Sequence, residues 1–227
     1  MPRIRNRHVR QGAIDIPLAG TGCFPLFSAA PPPLSARLRA ETATLHRDTE
    51  ALLGLPGSIQ TGNGYIAWLG RFLGLYEPLE RSLATFGEWD AANIAPPWPG
   101  HGANLTADLR DLGADPGACQ RAPLTLLPRL PTFAHALGVR YVLEGSALGG
   151  RLIAQDVEAR IGAEIANATR FFGGRGNAAS STWQHFRAAL DRFGCEHPSL
   201  QVEVTTGAER AFVAILAWFA PFQAGLA

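Results

Sequence analysis

The sequence predicts an all-α protein. Apolar residues recur at helical spacing in one segment after another, and alternating strand patterns are nearly absent. Clusters of proline and glycine separate these segments, as they commonly do between helices. A chain of 227 residues is long enough for one domain with a sizeable core, and no repeat of fixed period is present. We therefore predict a single packed bundle of about seven or eight helices, of the layered kind that buries one apolar core.

Helix caps and breakers divide the first half of this domain. Ser35 is the candidate cap of a first helix, which is predicted to end near Gly54. Thr61 is the candidate cap of a strongly apolar second helix, and Pro78 should kink this helix or split its last turns. The proline-rich segment 88–103 is predicted to be a loop.

The second half of the domain is predicted to contain helices of unequal length. A short helix is predicted over 105–112, with a further turn after Asp115-Pro116. A long helix is predicted from Pro131-Thr132 to Gly162. The last two helices are predicted to start near Ser180 or Ser181 and near Ser199. A glycine-rich segment at 173–177 is predicted to be a turn.

The first 33 residues differ from the rest of the chain in composition. Arginines are frequent at the start, and prolines and glycines interrupt the mildly apolar stretch that follows them. Such a stretch makes a poor signal-peptide core. We predict a disordered leader over residues 1–33, a helical domain over 34–222 and a short tail over 223–227.

Charge and cysteine content argue against several classes of function. With 20 basic and 19 acidic side chains, the chain lacks the concentrated basic charge of a nucleic-acid-binding protein. Its three cysteines are scattered, which argues against a disulfide framework or a zinc site and fits a reducing compartment. The longest apolar run, 211–222, is too short to span a bilayer. We expect a cytoplasmic protein with no nucleic-acid partner and no membrane span.

Three glycines lie inside the long predicted helix, at Gly145, Gly149 and Gly150. A glycine in a helix interior costs about 1 kcal/mol relative to alanine, so three of them require a structural or functional reason. Gly145 and Gly149 are four residues apart and share a face, which lets another group approach the backbone closely. That group could be a neighbouring helix or a flat ligand, and the glycines could also mark a break between two helices.

His46 differs from the other five histidines because Glu50 lies one helical turn beyond it on the same face. A metal-bound imidazole commonly donates its second ring N–H to a carboxylate, and one axial histidine is enough to hold haem iron. The alternative interpretation is an ordinary pair on a helix surface, which contributes only about tenths of a kcal/mol. Taken alone, these two residues favour the surface pair.

The order of these motifs resembles the haem oxygenase family. Thr42, His46 and Glu50 lie early in an all-helical chain, and a later helix contains Gly145-Ser146-x-x-Gly149-Gly150. The similarity covers roughly residues 34–222, and it is greatest to the bacterial, biliverdin-producing branch associated with bacteriophytochromes. The segments 141–146 and 65–72 strengthen it.

The resemblance implies a role for each of these residues. His46 is the axial ligand of the haem iron, and Glu50 is the carboxylate that partners it. Gly145, Gly149 and Gly150 bring the backbone of the distal helix over the other haem face. The remaining implied haem contacts are Thr42 in the ligand motif, Arg39 at one propionate, Tyr141 or Arg140 at the start of the distal helix, and Arg187, with Arg192 as the weaker candidate, at the second propionate.

Ser146 departs from the pattern of the animal enzymes in this family. In those enzymes an aspartate follows the first distal glycine and holds a water network that protonates iron-bound oxygen. A serine hydroxyl both donates and accepts hydrogen bonds but carries no charge. The substitution leaves haem binding expected and makes the route of proton delivery the open question.

The resemblance implies that haem is both substrate and cofactor. The expected reaction is oxidative cleavage of haem by O₂, with electrons from a ferredoxin or a reductase-like partner, to biliverdin, CO and ferrous iron. The expected purpose is the supply of a bilin chromophore to a bacteriophytochrome, with iron release from haem as the second possibility. The alternatives are a haem carrier or sensor without turnover, and a helical enzyme of the same architecture that uses no haem.

Overall fold

The computed structural model describes residues 31–95, 100–165, 168–173 and 178–224. Within these ranges it contains eight α-helices and no β-strand, which confirms the all-α prediction. None of the described helices is long and apolar enough to cross a membrane. The helices are α1 (Leu34–Glu41), α2 (Ala43–Leu53), α3 (Gly62–Leu83), α4 (His101–Asp111), α5 (Phe133–Ile161), α6 (Arg170–Gly173), α7 (Ala178–Glu196) and α8 (Gln201–Ala224).

Three features of the helices differ from the prediction. The predicted first helix is two helices, because Thr42 has φ −96° and ψ 3° between α1 and α2. Its hydroxyl donates a 2.8 Å hydrogen bond to the carbonyl oxygen of Leu38, a local bond that competes with regular helical geometry. Pro78 lies inside α3, which runs to Leu83, so the predicted split of its last turns is absent. α4 begins at His101, inside the segment 88–103 predicted to be a loop.

The long helix α5 has the predicted limits. Thr132 caps it by accepting the backbone N–H of His135, and Gly162, with φ 53°, follows its last residue. α5 is continuous from Phe133 to Ile161. The glycines inside it therefore do not mark a break between two helices.

The central helix of the core is α3. Tyr65, Trp68 and Leu69 are completely buried within it. The indole ring of Trp68 stacks on the ring of Phe219 from α8, with 5.7 Å between their centroids. Burial of such large apolar surfaces is the main source of stability in a helical domain.

α5 and α8 cross at a contact between two glycines. A Cβ atom built on Gly138 would overlap the carbonyl oxygen of Val204, and one built on Gly207 would overlap the carbonyl oxygen of His135. The two backbones therefore touch directly, as small residues allow at close helix crossings. α8 also packs along α2, so it joins the helix that carries His46 to the helix that carries the predicted distal glycines.

Three predictions about the ends and turns fall partly or wholly outside the described residues. The leader is described only from residue 31 and the glycine-rich turn only at Gly173. α8 continues to Ala224, beyond the predicted limit of the domain at 222. The leader and the tail stay predictions.

Candidate functional site

His46 projects from the surface of α2. Its side chain is 58% exposed, and its Nδ1 atom lies 3.5 Å from Oε2 of Glu50. The imidazole also contacts the edge of Phe212 from α8, with 5.9 Å between ring centroids and 81° between ring planes. Since Glu50 is beside Nδ1, Nε2 is the nitrogen that is left available to a metal. This pairing is weak in an exposed setting.

The middle of α5 has an open apolar face. We use this name for Gly145, Leu148, Gly149 and Leu152, which follow one another at helical spacing. Leu148 and Leu152 are 44% and 71% exposed, although both are large apolar side chains. A Cβ atom built on Gly149 would meet no protein atom within 4 Å. Exposed leucines around a bare stretch of backbone are typical of a surface that binds an apolar ligand.

Gly150 lies on a different side of α5 and has a different role. A Cβ atom on it would overlap the carbonyl oxygen of Phe172 in α6, and Gly150 is buried. This glycine therefore admits the backbone of α6. The expectation that all three glycines face the same ligand is corrected, because a residue beside Gly149 on a helix points to another face.

Two cations act electrostatically on a phenol at the N-terminal end of the open apolar face. We call Arg39, Tyr141 and Arg187 the cation cluster; they come from α1, α5 and α7. Burial raises the pKa of the Tyr141 phenol, and the positive charges of Arg187 and then Arg39 act in the opposite direction. Tyr141 and Gly145 also share a neighbour, Trp183, whose ring centroid lies 5.4 Å from that of Tyr141.

The structure distinguishes Tyr141 from Arg140. Arg140 is buried, pairs with Glu144 at 3.3 Å and donates a hydrogen bond to the carbonyl oxygen of Ala95. Its guanidinium group also lies over the ring of Trp89, 5.1 Å from the centroid. Arg140 therefore belongs to the core, while Tyr141 is the residue on which the cations of α1 and α7 act.

Ser146 is tied to Tyr76, a residue that the sequence analysis did not single out. The Ser146 hydroxyl donates to the carbonyl oxygen of Leu143 at 2.7 Å, so the Tyr76 hydroxyl, 2.9 Å away, donates to Ser146 Oγ. Burial is the main cause that raises the pKa of Tyr76 to about 12; the Ser146 bond acts in the opposite direction, and the carboxylates of Glu80 and Glu144 contribute to the rise. The phenol thus stays protonated at neutral pH.

Thr42 is the predicted site residue that the structure directs away from solvent. It is 2% exposed, and its hydroxyl is used in the bond to Leu38. Its position at the junction of α1 and α2 explains the presence of a threonine here without a ligand. Arg192 is exposed on α7 and, unlike Arg187, is not among the charges that act on Tyr141.

The described residues group the predicted site into two parts. In one part the charges of Arg187 and Arg39 act on Tyr141, which lies one helical turn before Gly145, while His46 and Glu50 form the other part on α2. Phe212 and Trp183 contact these parts but were missed, because aromatic residues at helical spacing are usually core residues and nothing in the sequence shows which helices meet.

Comparison with known proteins identifies the fold and the family. The chain has the fold of the haem oxygenase from Neisseria meningitidis, whose crystal structures are of the NO- and CO-bound protein: the TM-score is 0.62 at 20% sequence identity, over 82% of this chain and 92% of that one. A search of curated proteins gives no match. The family model described as heme oxygenase matches residues 32–221. The chain therefore belongs to the haem oxygenase family.

Proposed function

We propose that this chain is an enzyme that binds haem and cleaves it oxidatively to biliverdin, CO and ferrous iron. Haem is the substrate, and its iron supplies the O₂ chemistry when it is bound. Family membership supports haem as the ligand. The observation that carries the proposal is a helix face on which Gly149 is bare and open between the exposed side chains of Leu148 and Leu152. The positive charges of Arg187 and Arg39 act on Tyr141 at the end of this face.

His46 is the proposed axial ligand. Neutral imidazole binds iron through one nitrogen, and the other is usually held by a carboxylate or a carbonyl group. Glu50 stands beside Nδ1, so Nε2 is the proposed iron-binding atom. The edge contact with Phe212 restricts rotation of the ring, which keeps Nε2 directed to one side.

The cation cluster is the proposed anchor for the two haem propionates. A guanidinium group can donate two parallel hydrogen bonds to a carboxylate. Arg187 donates a hydrogen bond to the Ser35 hydroxyl at 3.5 Å, a weak contact that a carboxylate can replace. Arg39 and Arg187 come from different helices, so each can hold one propionate.

The open apolar face is the proposed cover of the distal side. Gly149 permits close approach of the macrocycle, and Leu148 and Leu152 would exclude water from its surface. Tyr76 and Ser146 supply the polar part of this side. If Ser146 turns its proton away from Leu143, its hydroxyl can donate a hydrogen bond to a bound ligand while Tyr76 continues to donate to Ser146 Oγ, so the pair would orient a neutral hydrogen-bond donor and neither group would lose its proton.

The first test is haem binding by absorbance. Hemin added to the purified protein should give a Soret band, and His46→Ala should weaken or shift it, whereas His185→Ala, an exposed histidine on α7, should not. A reductant in air should then replace the band with the broad red absorption of biliverdin. Unchanged haem spectra in His46→Ala would refute the ligand assignment.

Ser146 favours one alternative function, a haem carrier or sensor without turnover. Its hydroxyl brings no negative charge to the distal side, and its own proton is directed to a carbonyl oxygen. Tyr76→Phe separates the two functions. If the Tyr76 bond holds Ser146 in the donating orientation, this variant should bind haem normally and turn over about a hundredfold more slowly. Tyr65→Phe in the same helix, whose hydroxyl donates to Ala168 instead, should keep the wild-type turnover. Haem binding by the wild type with no biliverdin formed would support the carrier.

We propose a bacteriophytochrome as the recipient of the product and a ferredoxin or reductase-like protein as the electron donor. Family membership supports the chemistry, while the choice of recipient comes from the similarity of the motifs to the bacterial branch. Co-expression with an apophytochrome tests the proposed recipient. Formation of a red-absorbing holoprotein that requires the intact His46 would support it, and its absence despite biliverdin production would refute it.

A further inference from the structure

One carboxylate on α7 caps the start of α1. The backbone N–H of Ser35 donates to Oδ1 of Asp191 at 2.7 Å, and the Ser35 hydroxyl donates to Oδ2 at 3.0 Å. Pro33, which precedes α1, forms no side-chain cap of its own. Asp191 therefore supplies the cap from another helix, and a negative charge at a helix N-terminus is stabilising.

A steric contact fixes the same two helices at a second point. A Cβ atom on Gly194 would lie 2.7 Å from Cβ of Leu34, so α7 approaches α1 closely one turn beyond Asp191. Ser35 is 4% exposed and Leu34 is 1% exposed, which places both contacts away from water. Together they fix how far α1 can slide or turn against α7.

Both arginines of the cation cluster lie one turn from this contact. Arg187 precedes Asp191 by four residues on α7, so these two residues share a helix face. Arg39 follows Ser35 by four residues on α1 and shares a face with it in the same way. One guanidinium nitrogen of Arg187 also reaches the hydroxyl of Ser35 at 3.5 Å. The position of one helix against the other therefore sets the separation of the two cations.

We propose that Ser35 and Asp191 form a positioning pair that fixes the separation of Arg39 and Arg187, and that this separation determines the in-plane orientation of haem. The inference rests on the proposed function, in which these arginines hold the propionates. The two propionates lie on one edge of the macrocycle. Turning that edge within the plane brings a different meso carbon to any given point of the site, so the pair acts on which bilin isomer forms.

The haem-free protein provides the first test, through the pKa of Tyr141. The chain has three tyrosines, so ¹³C-labelled tyrosine gives three assignable titration curves. Ser35→Ala and Asp191→Ala should release the arginines that lower the Tyr141 pKa, and that pKa should rise. Loss of the Asp191 charge by itself would lower a tyrosine pKa, so a rise reports displacement of the arginines.

Three controls make this measurement specific. Asp191→Asn keeps an acceptor for Ser35 and should restore part of the wild-type Tyr141 value. Glu196→Gln, an exposed carboxylate on α7, should leave it unchanged. If Ser35 and Asp191 act as one pair, the double variant should match the single variants rather than their sum. An unchanged Tyr141 pKa in the Ser35→Ala and Asp191→Ala proteins, with a rise in Arg187→Ala, would overturn the inference.

The haem-loaded protein provides the second test. The haem methyl signals of the cyanide complex report the in-plane orientation by proton NMR, and chromatography identifies the biliverdin isomers. We expect Ser35→Ala and Asp191→Ala to raise the minor orientation and the minor isomer by about threefold or more, the lower range of coupling between contacting residues. A wild type that binds no haem overturns the proposed function and this inference together. Haem bound in an unchanged orientation in both variants overturns the inference alone.

Discussion

At Gly149 an added side chain would meet no protein atom within 4 Å, so its effect on the protein and its effect on a ligand can be separated. Gly149→Leu should leave the haem-free protein as stable as the wild type or more so, because leucine favours a helix interior by nearly 1 kcal/mol over glycine. Haem binding should be lost, since the new side chain occupies the position proposed for the macrocycle. Thermal unfolding and hemin titration measure the two effects.

Gly87→Leu is the matched control for this substitution. Gly87 is also exposed, and a Cβ atom on it also meets nothing within 4 Å, but it lies outside α5. The Gly87→Leu protein should bind hemin like the wild type. Wild-type affinity in Gly149→Leu would place the ligand elsewhere on the chain.

At this scale the sequence could name candidates but could not choose among them. Tyr141 and Arg140 are neighbours on one helix, and only the contacts of Arg140 with Glu144 and Ala95 show that the arginine is in the core. Tyr76 had no distinguishing signal in the sequence, because a tyrosine in an apolar helix is usually a core residue. Its bond to Ser146 joins residues 70 positions apart, which no spacing rule detects.

At the scale of elements, glycine serves α5 in two ways. Gly138 and Gly150 admit the backbones of α8 and α6, whereas Gly149 faces open space. The sequence predicted the long helix and its caps from local chemistry, since Thr132 and Gly162 act on their own neighbourhood. The use of each glycine depends on which helix lies opposite it, and that is decided by the packing of the whole bundle.

The α5–α8 crossing gives the second prediction. Gly138→Ala should destabilise the protein, because its methyl group would overlap the carbonyl oxygen of Val204 and the backbones would have to separate. Forcing extra atoms into a packed contact typically costs about 1–3 kcal/mol. Urea unfolding of Gly138→Ala should have a lower midpoint concentration than that of the wild type.

Gly149→Ala is the control on the same helix. It adds the same methyl group in open space, so it should stabilise the protein by about 1 kcal/mol or less through helix propensity. Opposite signs for the two substitutions are the expected result. A stabilising effect of Gly138→Ala would mean that the two helices are farther apart than the structure places them.

At the scale of the whole molecule, α8 connects the two parts of the site. It touches the His46 ring through Phe212 and meets α5 at Gly207, so the position of α8 fixes His46 relative to α5. The family similarity predicted that these parts act together. It did not indicate that one helix holds both, because the residues responsible are a glycine and a phenylalanine with no catalytic chemistry.

His135 makes this connection sensitive to acid. Its carbonyl oxygen lies at the Gly207 contact, and its ring lies at the cap of α5, with Nδ1 2.8 Å from the Thr132 hydroxyl. That hydroxyl donates to Glu203 of α8 at 2.5 Å, so the neutral ring carries its proton on Nδ1 and donates to Thr132. Burial lowers the pKa of His135, the positive charge of Arg210 lowers it further, and the carboxylate of Glu203 acts in the opposite direction.

A histidine whose pKa is lower in the folded state than in the unfolded chain stabilises the fold in its neutral form. That contribution is fully present above the unfolded value of about 6.5 and is lost as the pH falls through the folded-state value. The unfolding temperature of the haem-free protein should therefore drop between about pH 7.5 and 5.5, and His135→Gln, which has no such proton to bind, should drop less. His185→Gln, at an exposed position on α7, should keep the wild-type dependence. Equal acid sensitivity in His135→Gln and the wild type would assign the effect to other groups and remove His135 from the α5–α8 connection.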